Sequence, residues 1–276
     1  MLRLFILFIA LFNIAKLTAD DSERWFIDTS DLYERGHARS LAYQNLRTPE
    51  LSGVRAQTLP WIVRIEAQHT FTKEGFVSNH GTGIILKNGL VLTAHHVFTK
   101  NINGKNKEVK ILLTLTDGRV FPAKLIHQGK PDWALLKMQL PPQSPLNNSP
   151  IQIKTPTINE TCLFLGYPAR MGVDQAGRIQ AFHKGNAKQN IPTSRLEPLN
   201  VVAKVSDIKS MYLAPLAGFP PVGGMSGGPI LNQKGEVIGV QHSVTKTTDD
   251  ATGKTLSYRI DATPSNLIDL SQVDQP

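Results

Sequence analysis

Leu90-Val91-Leu92-Thr93-Ala94-His95-His96-Val97 sets a short apolar run directly before two histidines. Further along, Pro131-Asp132-Trp133-Ala134-Leu135-Leu136-Lys137 sets an aspartate directly before a second such run. Short apolar runs bounded by turn residues read as buried strands. Others of this kind cover residues 61–66, 83–86, 110–115 and 120–125, then 162–166, 200–205, 229–232, 237–241 and 257–260, with Gly, Asn and Pro between them. Helical periodicity is almost absent. The spacing therefore predicts an all-β protein, a sandwich or barrels, with one short helix over residues 264–270 that Ser265 caps.

Pro141-Pro142-Gln143-Ser144-Pro145-Leu146-Asn147-Asn148-Ser149-Pro150 carries four prolines and cannot be an interior strand or helix. It divides the β region into residues 60–140 and 151–262, joined by a linker over 141–150. A crevice between two such halves is a common place for a ligand site.

Ahead of this region lie two other segments. Residues 1–19 combine Arg3, an apolar run over 4–12 and the ending Leu17-Thr18-Ala19, the pattern of a cleaved secretory signal. The run is too short for a spanning helix, which needs about 20 residues, so a secreted or periplasmic protein with no lasting membrane anchor is expected. Residues 20–59 are polar and without alternation, a propeptide or a strap, with a short helix expected over 30–34.

The formal charge of +8 falls to +6 once Arg3 and Lys16 are removed. Lys100, Lys105, Lys107 and Lys110, and Arg178, Lys184, Lys188 and Arg195, are mixed with Gly, Asn and Gln and lack interleaved aromatics. They read as solvated loops rather than a nucleic-acid groove. Cys162, the single cysteine, allows no internal disulfide and reads as a small buried hydrophobe. The histidines and the cysteine show none of the zinc spacings, so no metal or cofactor is expected.

Gly223-Gly224-Met225-Ser226-Gly227-Gly228-Pro229 is the strongest local signal. Glycines on both sides of a serine permit a tight turn that projects the hydroxyl and exposes backbone amides, the donors a developing oxyanion needs. Together with the two motifs above, this stretch resembles the trypsin-like, chymotrypsin-fold serine proteases. Thr93-Ala94-His95-His96 is similar to their T-A-x-H motif, Asp132-Trp133-Ala134-Leu135-Leu136 to D-x-A-L-L, and residues 224–229 to G-x-S-G-G-P. The chain order His, Asp, Ser is that of the same group. The likeness extends over about residues 60–270 and takes in Gly81-Thr82-Gly83 and Leu165-Gly166-Tyr167-Pro168. It implies two six-stranded antiparallel barrels of the chymotrypsin type, a protease domain over residues 60–276, and hydrolysis of protein or peptide substrates. The implied triad is His96, Asp132 and Ser226, with the amides of Gly224 and Ser226 as oxyanion donors. His95, at the variable position of its motif, is read as packed or solvent-facing.

The resemblance has departures. Met225 stands where members activated by cleavage carry an aspartate, so pairing with a freed amino terminus is not available. The lack of disulfides turns the comparison toward glutamyl endopeptidases and the protease domains of the high-temperature-requirement proteases. A standalone monomer without the PDZ domain of the latter is expected. Pro220 falls where trypsin carries its specificity carboxylate, and Gln241, with His242 beside it, where glutamyl endopeptidases carry a histidine. These three are the candidate substrate-pocket residues, and they favour small or apolar P1 side chains over basic ones. The alternatives kept open are an inactive trypsin-like scaffold that binds peptides or a protein partner, and an esterase or acyl transferase using the same serine.

Overall fold

The computed structural model describes residues 49–72, 75–99, 109–173, 179–181, 189–190, 197–218, 221, 223–248 and 255–270. The signal segment, the helix expected over 30–34 and Pro220 lie outside them. Two closed six-stranded antiparallel barrels make up most of the described chain. The first contains β1 (Ile62–Thr72), β2 (Gly75–Ile85), β3 (Leu90–Thr93), β4 (Val109–Leu115), β5 (Val120–Gly129) and β6 (Trp133–Met138), in the order β1-β2-β3-β6-β5-β4. Pairing of β1 with β4 closes it. A small sheet of order β10-β8-β9 holds β8 (Met171–Val173), β9 (Ile179–Ala181) and β10 (Gln189–Asn190). The second barrel joins β7 (Thr161–Gly166), β11 (Leu199–Asp207), β12 (Tyr212–Gly218), β13 (Pro229–Leu231), β14 (Val237–Thr248) and β15 (Thr255–Pro264), in the order β11-β12-β15-β14-β13-β7, and closes through β7 and β11.

Alternation explains the strands. Along β4, Ile111, Leu113 and Leu115 are buried while Lys110 is exposed, the period of two that a half-buried strand imposes. In β6 only Lys137 is exposed, and its Nζ donates to the Asn88 carbonyl (2.6 Å). Strand β12 has no counterpart among the expected strands because Pro215 interrupts its pattern. The fold accommodates that proline because β12 pairs with β15 only at Tyr212 and Leu213, so the strand beyond is laddered mainly on its β11 side. At the C-terminal end the described chain forms a single 3-10 turn, Ser265–Leu267, with Pro264 rather than Ser265 in the capping position. The Ser265 hydroxyl donates instead to the Lys154 carbonyl.

Two further elements tie the barrels together. Helix α1 (Pro49–Thr58) buries Leu51 and Val54 in the hydrophobic core, and Arg55 reaches the Pro198 carbonyl and Glu197 at the entry to β11. Burial of a leucine of this kind contributes about 1.5–3 kcal/mol. The proline-rich linker is pinned as well. Ser144 Oγ caps the 3-10 turn Pro145–Asn148, Leu146 is buried, and Ser149 Oγ donates to the Ile85 carbonyl (2.7 Å).

Candidate active site

His96 lies on the 3-10 turn His95–Val97 that follows β3. Val97 and Phe98 anchor the turn in the core, while His96 stays exposed and His95 half-buried. Asp132 sits at the turn between β5 and β6. The Trp133 ring beside it lies against Gly129, where a Cβ would stand 2.4 Å from the ring. The two turns meet twice: His96 Nδ1 is 2.7 Å from Asp132 Oδ2, and the His96 backbone N–H donates to Oδ1 (3.0 Å). One carboxylate thus fixes both the ring and the backbone that carries it. Burial alone would raise the Asp132 pKa, but the two hydrogen bonds from His96 and the charges of His96 and His242 outweigh it and hold the carboxyl below its ordinary range.

Ser226 lies on the glycine loop between β12 and β13, and the loop's peptide planes are fixed one after another. The Gly223 carbonyl accepts from Ala169 N–H (2.7 Å), the Gly224 carbonyl from Thr82 Oγ1 (2.9 Å), the Met225 carbonyl from Gly228 N–H (3.0 Å), and the Ser226 carbonyl from Thr82 N–H (2.7 Å). In a trans peptide the N–H points opposite to the preceding carbonyl. Fixing the carbonyls of Gly223 and Met225 therefore aims the N–H groups of Gly224 and Ser226 away from the loop's own partners. Neither N–H donates to a protein acceptor among the described residues.

The glycines allow this close packing. At Gly227 (φ 85°) a Cβ would stand 2.0 Å from Thr93 Oγ1 and 2.7 Å from the Ala94 nitrogen, the residues that lead into His95 and His96. At Gly224 (φ 94°) it would stand 2.3 Å from the Ala169 nitrogen. The serine loop is therefore seated against the start of the histidine turn. The geometry joins His96 to Asp132 by hydrogen bonds and seats the serine loop against Thr93 and Ala94 just ahead of that turn, but Ser226 Oγ is not hydrogen-bonded to His96 among the described residues. Such contacts are often long or misaligned in ligand-free enzymes and tighten when substrate binds.

Of the pocket candidates, Gln241 is buried, donates Nε2 to the Ser243 carbonyl and leaves Oε1 unpaired. Its backbone carbonyl accepts from Gly227 N–H (2.7 Å), next to the serine. His242 occupies a β-bulge: Gln241 faces Ala262 and Ser243 faces Asp261, leaving His242 as the extra residue. A bulge re-aims a side chain. Burial lowers the His242 pKa, with Asp132 and Asp261 pulling it up and His96 pushing it down, so the ring shares the field of the His96–Asp132 pair. Cys162 is buried with its thiol pushed up by desolvation and by the charge of Glu160, so it stays protonated.

Thr82 was not among the candidates read from the sequence. It is fully buried, and besides its two bonds to the serine loop its hydroxyl accepts from Tyr167 N–H (2.8 Å) and its carbonyl accepts from Thr93 Oγ1 (2.6 Å). The glycines on either side of it, Gly81 and Gly83, were its signal, since a strand glycine marks close backbone approach.

A barrel pair with a histidine, an aspartate and a glycine-framed serine at its junction defines the trypsin-like peptidase architecture. The model of the trypsin-like peptidase domain family matches residues 81–240, and the chain belongs to that family. Its relatives are of the HtrA type. They include HhoA of Synechocystis sp. (28% identity, covering 68% of this chain and 42% of the relative) and the serine endoprotease DegS of Salmonella typhimurium (29%, covering 65% and 44%). The mitochondrial serine protease HTRA2 of Drosophila virilis is another (28%, covering 74% and 45%). The chain spans less than half the length of these relatives.

Proposed function

We propose that the chain is an exported serine endopeptidase in which Ser226 is the nucleophile, His96 the proton carrier and Asp132 the group that orients His96. The observation that carries this reading is the double contact of Asp132 with His96 beside a serine loop whose Gly224 and Ser226 N–H groups are left unpaired. Ser226 Oγ attacks the scissile carbonyl carbon as its proton passes to His96 Nε2. The C–N bond breaks as Nε2 returns that proton to the leaving amine, giving an ester on Ser226. Water then attacks the ester, gives its proton to Nε2, and the proton returns to Ser226 Oγ as the carboxylate product leaves. The Gly224 and Ser226 amides stabilise the oxyanion in both halves. Residues 1–19 support delivery to the periplasm or the exterior, and small or apolar P1 residues are the preference this reading carries.

The test is reaction of the full chain with a fluorophosphonate probe, together with cleavage of a diverse peptide library, each repeated with Ser226→Ala. Labelling and cleavage that both vanish in the variant support the assignment. The absence of a Ser226–His96 hydrogen bond favours a second reading, a non-catalytic scaffold that binds peptides in the same cleft. An unlabelled serine with no cleavage by the parent chain would establish that one instead.

A further inference from the structure

The outward face of the β1–β2 ribbon carries a polar strip that ends at the serine loop. Cross-strand pairs set Arg64 opposite Thr82, Glu66 opposite His80 and Gln68 opposite Ser78, while Val63, Ile65 and Ala67 point into the barrel. Thr82, the partner of Arg64, is the residue that holds the Ser226 carbonyl. Arg64 is only 9% exposed, yet no carboxylate among the described residues lies within ion-pair distance of it. Among the described residues its one hydrogen-bonding contact is with His80 Nδ1 (3.4 Å), and its Nε is buried without a partner. Glu66, the nearest acid on the strip, has its Oε1 taken by Gln68 Nε2 (3.0 Å) and Ser78 Oγ (2.8 Å). Across from the strip, Arg170 adds a second positive charge that His80 feels, one residue beyond the Ala169 N–H that fixes Gly223.

A guanidinium withdrawn from water with no carboxylate in contact among the described residues, the field of the more distant Glu66 offsetting only part of its burial, is costly, and such a group beside a reactive centre is a sign of function. Its fork of donors matches a carboxylate. The strip also has a side. Asn79 Nδ2 donates to the Val97 carbonyl (3.3 Å), and at Gly81 a Cβ would stand 2.6 Å from the Val97 side chain, so β2 runs against the His96 turn at residues 79–81. Asn79 and Gly81 pair with the inward Ala67 and Ile65, and His80 and Thr82 alternate with them onto the strip. That turn is where the leaving amine collects its proton, whereas Gln241 on β14 lies on the other side of the Ser226–Gly227 peptide, its carbonyl taking the Gly227 N–H while the Ser226 carbonyl takes the Thr82 N–H. We propose that Arg64, with His80 beside it, forms a carboxylate-binding subsite for the part of the substrate on the leaving-group side of the scissile bond. The carboxylate comes from an acidic side chain or from the peptide's own C-terminus.

This inference rests on the peptidase reading, and its test separates the two. The full chain is given a peptide series with one cleavable core. Glu or Gln is placed in turn at each of the first three positions after the cut, and the all-neutral peptide is ended as free acid or amide. Cleavage of the neutral amide and labelling of Ser226 check the peptidase reading on their own, and a chain that cuts nothing overturns both. With cleavage established, the expected result is a ratio of kcat/KM of about tenfold or more for Glu over Gln at one position, or for acid over amide. Tenfold corresponds to about 1.4 kcal/mol. The internal arm identifies a side chain as the source and the terminal arm a C-terminus. Within Arg64→Gln that ratio falls to about one, and within Arg64→Lys it is partly kept. A ratio near one in every pair with the parent chain overturns the subsite whether or not the variants fold. A ratio that survives in Arg64→Gln, or a preference found only before the cut, overturns its assignment to Arg64.

Discussion

Thr82→Val tests how the serine loop is held. Valine keeps the volume and β-branching of threonine, so the strand and its contacts are retained, but the hydroxyl is lost. That hydroxyl both donates to the Gly224 carbonyl (2.9 Å) and accepts from Tyr167 N–H (2.8 Å) at a fully buried position. Removing it strips a partner from two buried backbone groups, at about 1–3 kcal/mol each. The stability loss is then about 2–6 kcal/mol, a fall in Tm of roughly 5–20 °C for a chain of this size. The catalytic consequence is separate. With the Gly224 carbonyl released, the Gly224–Met225 peptide plane can turn between the two donors, and although the Gly223 and Met225 carbonyls keep their own partners, the N–H groups of Gly224 and Ser226 lose their fixed relation to each other. Loss of one oxyanion donor costs about a hundred- to a thousand-fold in kcat, and a misaimed donor a good part of that. The assay is steady-state kinetics below the melting range with a neutral peptide, giving kcat and KM separately. The expected outcome is a kcat lowered about tenfold or more with KM little changed, and recovery of most of the loss in Thr82→Ser. A variant that melts earlier yet keeps the parental kcat refutes the reasoning, because Thr82 would then stabilise the fold without setting the geometry of the loop.

Other perturbations probe the remaining parts. Asp132→Asn leaves the turn in place but presents an amide to His96 Nδ1, and kcat should fall by about 10⁴-fold with slower fluorophosphonate labelling of Ser226. Gly227→Ala places a methyl group against Thr93 Oγ1, the Thr82 carbonyl and the Ala94 nitrogen at a positive φ, so calorimetry should find a severe loss of stability or no folded protein. Leu51→Ala, in the core contributed by α1, should cost about 2–5 kcal/mol by chemical denaturation. His80 and His242 are both lowered from 6.5, first by burial, with Arg64 and Arg170 adding to the shift and Glu66 opposing it in one case, and His96 adding to it and Asp132 and Asp261 opposing it in the other. The unfolded chain therefore binds these protons first, and the stability they contribute is present above pH 6.5 and lost as pH falls below it. Melting scans from pH 7.5 to 5.5 should show a falling Tm, and His242→Gln should flatten the slope.

The residues most legible in the sequence were those whose role is set by local chain geometry. His96 follows a strand, Asp132 precedes one, and glycine spacing alone marks residues 224–228 as backbone that must approach other backbone closely. Residues whose role depends on a distant partner were not legible. Thr82 and Gly224 are 142 positions apart, and no periodicity connects them. Arg64 reads as an ordinary outward charge between two inward residues, because alternation gives the face of a strand and not what covers it. Ser265 has a capping residue's chemistry and a proline before it, but its hydroxyl finds the Lys154 carbonyl, 111 positions earlier in the chain, and the helix it was expected to start shrinks to one turn. The hidden contacts concentrate where the first barrel meets the second. Each barrel closes on its own strand patterns, which the sequence carries, whereas the junction is made by single residues such as Thr82 and Thr263 whose partners, Gly224 and Asp132, lie on the other barrel. The proposed chemistry takes place at that junction, and the residues that aim the groups there are therefore the ones a linear reading finds last.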